Sequence, residues 1–113
     1  MDDDSSSRLF LKLTLELMQF EVTEAGNGAA ALSLLSSQSP HLVLLDMLLP
    51  QVSGLDILKY IYETPHLAST RVIVLTAHDS YREAMRPKDQ YLVKPISAAQ
   101  LRQAALDAIS GLA

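Results

Sequence analysis

Two apolar runs, each closed by a polar residue, constrain the fold of this 113-residue chain more than any other feature. The first run is Leu42-Val-Leu-Leu45, which Asp46 closes, and the second is Arg71-Val-Ile-Val-Leu-Thr76. A continuous apolar run is typical of a strand that is covered on both faces, whereas a strand with one solvated face alternates apolar and polar residues. The sequence therefore predicts a parallel sheet with helices on both of its faces.

The composition indicates one globular domain, residues 1–113, and excludes several classes of protein. Apolar residues make up 49% of the chain and charged residues 19%, which excludes an intrinsically disordered chain. No cysteine is present, so disulfides, thiolate zinc sites and cysteine nucleophiles are excluded. The formal charge of −4 argues against direct binding of nucleic acid or of anionic membranes. With no long apolar stretch and no basic leader, the expected location is the cytoplasm.

Helical and strand-like patterns alternate along the chain, which is typical of a doubly wound α/β fold. Apolar stripes at helical spacing cover residues 9–20, 29–35, 55–62 and 101–112, and a short helix fits between Ser80 and Pro87. Strand patterns cover residues 20–25, 42–45, 71–76 and 91–93. Helix starts are indicated by three capping boxes: Ser53 with Asp56, Ser80 with Glu83, and Ser97 with Gln100.

Three polar side chains stand where predicted strands end: Asp46, Thr76 and Lys94. Ligands of open parallel sheets bind beyond the carboxyl ends of the strands, so these side chains are expected to meet in one crevice. A carboxylate, a hydroxyl and an ammonium group together suit the transfer of a phosphoryl group to the carboxylate. Each residue alone is more typical of a cap, a turn or a solvated position, and the prediction depends on all three together.

Six stretches of the chain carry the motifs of one known family. They are Asp2-Asp3 with Arg8, Ala25-Gly-Asn-Gly28 with Ala31-Leu32, Pro40 to Pro50, Ser53 to Asp56, Val72 to Ala77, and Tyr91 to Pro95. Together they resemble a receiver domain of a two-component response regulator. The resemblance implies a signalling domain that is not an enzyme, with a flavodoxin-like sheet of strand order 2-1-3-4-5.

The resemblance also implies a role for each strand-end residue. Asp46 would accept a phosphoryl group from a histidine kinase or a phosphotransfer protein. Lys94 would contact the phosphoryl oxygen, and its bond to Pro95 would be cis. Thr76 would be the switch hydroxyl and Tyr91 the aromatic switch residue, so that phosphorylation changes a partner-binding face.

A magnesium site is implied as well. Asp2, Asp3 and Asp46 would hold Mg²⁺ together with the backbone carbonyl of Leu48. In the family, the positions of Leu48 and His78 tune the rate at which water attacks the acyl phosphate. Because apolar Leu48 offers that water no hydrogen bond, we expect slow autodephosphorylation.

Two features depart from the family. Only Met1 precedes Asp2, so the apolar strand that normally lies in the middle of the sheet is absent from the chain. Either the chain is N-terminally truncated, another chain supplies the strand through a homodimer or strand exchange, or the sheet closes over the gap. Mg²⁺ affinity is then expected to be weak. Thr76 and Lys94 are also only 18 positions apart, which predicts a short or irregular fourth helix.

Two other functions remain open from the sequence. The segment Gly26-Asn-Gly28-Ala-Ala-Ala31 with Asp46 twenty residues on matches a dinucleotide-binding fingerprint. A degenerate receiver that binds partners without phosphorylation is the second alternative. The sequence identifies neither the kinase nor the output partner.

Overall fold

A three-stranded parallel sheet lies between two layers of helices in the computed structural model, which describes residues 5–46, 53–76, 85–86 and 89–110. The strands are β1 (Leu42–Asp46), β2 (Arg71–Thr76) and β3 (Gln90–Val93). The helices are α1 (Ser5–Leu17), α2 (Gly28–Ser37), α3 (Gly54–Glu63) and α4 (Ala98–Ser110), and a 3₁₀ turn covers Pro65–Leu67. In the described part of the chain no helix is long and apolar enough to cross a membrane.

The strand order is β1-β2-β3, and both pairings are parallel. Asp46 is level with Leu75, and Thr76 is level with Val93. Alternate residues of each strand point to opposite faces, so every strand contributes to two cores. One core contains Val43, Leu45, Val72 and Val74 packed against α2 and α3, and the other contains Leu44, Ile73 and Leu75 packed against α1 and α4. The predicted doubly wound α/β sheet is confirmed.

The predicted strand at residues 20–25 is wrong for the described part of the chain. Phe20 and Val22 are half-buried and Glu21 and Thr23 are exposed, as expected. The burial pattern does not continue, because Glu24 is exposed and Ala25 is buried in the other core. The segment nevertheless joins no ladder of the sheet. Alternation reports which face is buried, but a strand also needs a neighbour with which to share backbone hydrogen bonds.

The first helix is confirmed, but the stripe that predicted it is not the buried one. Leu9, Leu13 and Leu17 are exposed, Leu17 to 85%, whereas Leu11 and Leu15 pack into the core. The helix is apolar on two opposite faces, so periodicity alone predicts the helix without selecting the face that meets the sheet.

Helix α1 ends in a turn that no glycine supports. Gln19 has φ +69°, in the left-handed region. Its N–H donates to Glu16 O at 2.9 Å, and the Phe20 N–H donates to Leu15 O at 3.1 Å. This pair of bonds is the Schellman pattern, in which glycine usually takes the position of Gln19. The side chain of Gln19 therefore adds steric strain to the end of the helix.

Two of the three predicted capping boxes are confirmed, and the third, Ser80 with Glu83, lies outside the described residues. Ser53 Oγ accepts a bond from the Asp56 N–H at 3.2 Å and begins α3. Ser97 and Gln100 form the full reciprocal box, with each side chain accepting from the other's backbone N–H at 3.1 and 2.9 Å. The helix predicted between Ser80 and Pro87 lies almost wholly outside the described residues.

Candidate functional site

The buried carboxylate at the end of β1 meets a lysine from the end of β3. Lys94 Nζ donates to Asp46 Oδ2 at 2.7 Å, across 48 positions of sequence. The Asp46 side chain is only 4% exposed, whereas that of Lys94 is 37% exposed. The two strands flank β2, so the lysine reaches across the end of the middle strand. A buried charge requires a partner of this kind, because desolvation without one is costly.

Thr76 ends the strand that lies between these two residues. It is buried at the last position of β2, and its backbone carbonyl accepts a bond from the Lys94 N–H at 2.7 Å. The Lys94–Pro95 peptide bond is cis, as the resemblance implies. The predicted convergence of Asp46, Thr76 and Lys94 on one rim of the sheet is therefore observed.

Tyr91 lies on the same strand as the lysine, three residues earlier. It is level with Val74, and it packs against the core that faces α2 and α3. Thr76 is two residues after Val74, so it points to the same face of the sheet as Tyr91. The two residues that the resemblance assigns to the switch thus share one side of the sheet.

Comparison with known proteins agrees with this geometry. The model of the response regulator receiver domain matches residues 1–106. This chain belongs to that family. The response regulator MprA of Mycolicibacterium vanbaalenii is 32% identical over 105 residues, which are 89% of this receiver domain and 45% of MprA. The chain thus spans about half the length of that curated relative.

Solved structures agree with the fold. The signal receiver domain of a signal transduction histidine kinase from Syntrophus aciditrophicus has a TM-score of 0.86 and 26% identity, with 99% of this chain and 88% of that chain covered. The receiver domain of a sensor histidine kinase from Pseudomonas aeruginosa has a TM-score of 0.86 and 23% identity, with 97% and 93% covered. The latter is described with a magnesium ion coordinated in its active-site cleft. The chain is thus a receiver domain of the two-component type.

Several predicted site residues lie outside the described part of this receiver domain: Asp2, Asp3, Leu48 and His78. Among the residues that are described, no cluster of three or more histidine, aspartate or glutamate side chains could hold a metal ion. Asp46 is the single predicted carboxylate ligand that the structure describes. Asp46 supplies a carboxylate, which is a ligand type that Mg²⁺ prefers, and its Oδ2 is paired with the Lys94 ammonium group.

The glycine-rich segment is a helix start rather than a dinucleotide cradle. Asn27 Oδ1 accepts from the Ala30 N–H at 2.8 Å and caps α2. No sheet strand precedes the segment in the described residues, and Asp46 is paired with Lys94. The dinucleotide-binding hypothesis is therefore not supported, since the fingerprint requires a strand directly before its glycines.

A second buried polar cluster, on the opposite rim of the sheet, escaped the sequence analysis. The Asp89 side chain is completely buried. Its Oδ1 accepts from the Val72 N–H at 2.9 Å, and its Oδ2 accepts from Tyr62 Oη at 2.7 Å and Arg86 Nε at 3.0 Å. The Arg86 guanidinium also stacks on the Tyr62 ring, 4.1 Å from its centroid. Burial is the main cause that raises the pKa of Tyr62, to about 12.

This cluster lies in the connection between β2 and β3, which the sequence analysis expected to be shorter than in the family. Arg86 and Asp89 lie in the short interval between Thr76 and Lys94, and Asp89 directly precedes β3. They tie the start of β3 to α3 and to the start of β2. No motif in the sequence signals the cluster, because its members come from three separate segments.

Proposed function

We propose that Asp46 accepts a phosphoryl group and that the domain acts as a phosphorylation-dependent switch. The observation that carries this proposal is the 2.7 Å ion pair between the buried Asp46 carboxylate and the half-exposed Lys94 ammonium group. The ammonium beside it can follow the negative charge as it moves onto the phosphoryl oxygens.

The proposed step is an in-line displacement at phosphorus. A carboxylate oxygen of Asp46 forms the new O–P bond, and the bond between phosphorus and the donor breaks, with its electron pair leaving on the donor group. The product is an acyl phosphate on Asp46. Lys94 stabilises the negative oxygens during transfer, and positioning with charge neutralisation supplies most of the catalysis.

The switch follows from the new charge on Asp46. A phosphoryl group adds acceptor oxygens beside the Thr76 hydroxyl, which favours an arrangement in which that hydroxyl moves toward the group. Tyr91 lies on the same face of the sheet and would take up the space that Thr76 leaves. The partner-binding face beside β3 and α4 then changes shape.

Mg²⁺ is proposed to be held by Asp46 with Asp2, Asp3 and the Leu48 carbonyl. Bound there, the cation would neutralise charge on the phosphoryl oxygens. The donor would be a histidine kinase or a phosphotransfer protein. One receiver domain over residues 1–113 and a cytoplasmic location stay predictions.

The test is phosphorylation by a small-molecule donor. The protein is incubated with acetyl phosphate and MgCl₂ and its intact mass is measured. We expect a gain of one phosphoryl group in the wild type and in the control Asp107→Asn, which changes an exposed carboxylate on α4. Asp46→Asn is expected to gain none, and chelation of Mg²⁺ with EDTA is expected to stop the gain.

A folded wild-type protein that never gains the group would instead favour the degenerate receiver, which binds partners without phosphorylation. Gain of the group by Asp46→Asn would place the acceptor elsewhere and overturn the proposal. The lifetime of the phosphorylated form is measured by removing the donor and following the intact mass over time. Because Leu48 is apolar, we expect a lifetime of minutes or longer, and a lifetime of seconds would contradict this part of the proposal.

A further inference from the structure

Helix α1 carries a row of exposed leucines on the side that faces away from the sheet. Leu9, Leu13 and Leu17 follow one another at intervals of four residues, and each is at least half exposed. Leu11 and Leu15, on the other side of the helix, are buried in the core that α1 shares with α4. Residues four apart lie above one another on a helix, so the three exposed leucines form one apolar row. We refer to this row as the leucine stripe.

The apolar surface extends beyond the leucine stripe on both helices of this layer. Phe10 of α1 and Leu106 of α4 are also exposed. Met18, directly after α1, lines a groove together with Leu106. Five large side chains exposed to this extent cover on the order of 400 Å², the size of an apolar patch that is often functional on a monomer.

The charged residues beside the leucine stripe form a second row. Arg8, Lys12 and Glu16 follow one another at the same spacing, so they border one edge of the stripe. The two cations lie toward the start of α1 and the carboxylate toward its end. Glu16 is exposed and forms no ion pair with another described residue, whereas Arg8 and Lys12 contact Glu24 at 3.9 and 3.6 Å. An edge with opposite charges at its two ends complements a copy of itself that runs in the reverse direction.

An antiparallel second copy brings both rows into register. If two α1 helices pair about a two-fold axis at Leu13, Leu9 lies level with Leu17 of the partner subunit. Glu16 then lies between the levels of the partner's Arg8 and the partner's Lys12, about 3 Å along the helix axis from each. A parallel pair would instead place each charge opposite the same charge, which is unfavourable. The charges therefore favour the antiparallel pair.

A membrane surface fits this face less well than a second copy does. The formal charge of −4 opposes approach to anionic lipids, and Glu16 borders the leucine stripe. Helices that lie on membranes are instead rich in lysine and arginine along their polar face. A second copy supplies both the apolar row and the opposite charges.

We propose that the leucine stripe is the interface of a homodimer in which the α1 helices of two copies pack antiparallel around Leu13. Leu11 and Leu15 stay in the core of their own copy, so the fold of each copy does not change. The apolar patch is smaller than the surface of about 800 Å² that each partner buries in a standard interface, so we expect a dissociation constant in the micromolar range. The dimer does not depend on the chemistry proposed for Asp46.

The first test measures the mass of the protein in solution by sedimentation equilibrium. We expect the mass to rise from that of a monomer to that of a dimer as the concentration increases to about 1 mM. Leu13→Glu brings two carboxylates together at the two-fold axis and is expected to keep the protein monomeric. The control Ser33→Glu adds the same charge to an exposed position of α2, in the opposite helix layer, and is expected to dimerise like the wild type.

Cysteine cross-linking tests the direction of the two helices. The chain contains no cysteine, so each variant carries a single thiol. Leu13→Cys places two thiols at the two-fold axis, where the Cα atoms can approach within the roughly 7 Å that a disulfide requires, and diamide is expected to link them. Leu17→Cys alone is expected to stay unlinked, because its two copies lie about 12 Å apart along the helix axis. A mixture of Leu9→Cys and Leu17→Cys is expected to form a linked pair.

Three results would overturn the proposal. A wild-type protein that stays monomeric up to about 1 mM would leave the leucine stripe to a different partner. Dimerisation of Leu13→Glu would place the interface elsewhere on the surface. Self-linking of Leu17→Cys as efficient as that of Leu13→Cys would show parallel or non-specific association. If Leu13→Glu does not fold, as judged by its melting curve, the comparison of the two cysteine variants still decides.

Discussion

The ammonium group of Lys94 lies 2.7 Å from Oδ2 of Asp46, and the two side chains differ sharply in their exposure to solvent. Asp46 is 4% exposed and fixed at the end of β1, whereas Lys94 is 37% exposed. When negative charge moves from the carboxylate to the phosphoryl oxygens, the Lys94 ammonium group can contact those oxygens while the Lys94 backbone keeps its bond to Thr76. The cation is therefore the solvent-exposed member of the pair.

Replacement of the lysine tests this division of roles. Lys94→Ala is expected to slow phosphoryl uptake from acetyl phosphate by about 10²-fold, because a preorganised cation at the developing charge is lost. The acceptor itself remains, so uptake is slowed rather than abolished. Lys59→Ala, on the exposed face of α3, provides the matched control. Equal rates for the two variants, measured by intact mass against time, would contradict the role given to Lys94.

Gln19→Gly is expected to stabilise the fold. Gln19 has φ +69°, where a glycine avoids the steric cost of a side chain, so the free energy of unfolding should rise by about 1 kcal/mol. The control is Gln38→Gly, because Gln38 ends α2 with φ −123°. There glycine only adds freedom to the unfolded chain and should lower stability slightly. Urea denaturation measures both, and a loss of stability in Gln19→Gly would refute the assignment of strain.

Asp89→Ala is expected to be strongly destabilising. The substitution leaves the Val72 N–H and the Arg86 guanidinium without their carboxylate partner in a fully buried position. Breaking a buried charge pair from one side costs about 3–5 kcal/mol, which is a large part of the stability of a domain of this size. Asp107→Ala, on the exposed face of α4, should change stability by no more than about 0.5 kcal/mol. If the two variants unfold at similar urea concentrations, the cluster contributes little to the free energy of unfolding.

The Tyr62 hydroxyl gives this cluster a pH dependence. Burial raises the pKa of Tyr62 from 10.0 to about 12, so between these values the unfolded chain releases a proton that the folded chain keeps. The stabilisation is therefore complete below pH 10 and is lost as the pH rises through 12. Because the ring is only half-buried, solvent screening reduces the expected loss to about 1–2 kcal/mol. Urea denaturation from pH 9 to pH 12 should show this loss in the wild type but not in Tyr62→Phe. If the free energy of unfolding falls equally with pH in both proteins, Tyr62 is excluded as the group responsible.

The sequence determined the elements that local pattern controls. The apolar runs before Asp46 and Thr76 correspond to β1 and β2, and the capping box of Ser97 and Gln100 begins α4 as predicted. The convergence of Asp46, Thr76 and Lys94 also followed from the sequence, because the carboxyl ends of neighbouring parallel strands must lie at one edge. Each of these inferences needs only residues close in sequence and a rule about sheets.

Tertiary structure decided what depends on partners distant in sequence. Residues 20–25 have the alternation of a strand but no ladder in the described chain, since backbone pairing requires a neighbour that alternation cannot supply. The buried face of α1 was undetermined, because the helix is apolar on both sides and only contact with the sheet selects one. The cluster around Asp89 joins three segments through hydrogen bonds that no local pattern encodes. A sequence records side-chain chemistry and spacing, whereas burial and pairing arise only when the folded chain brings distant segments into contact.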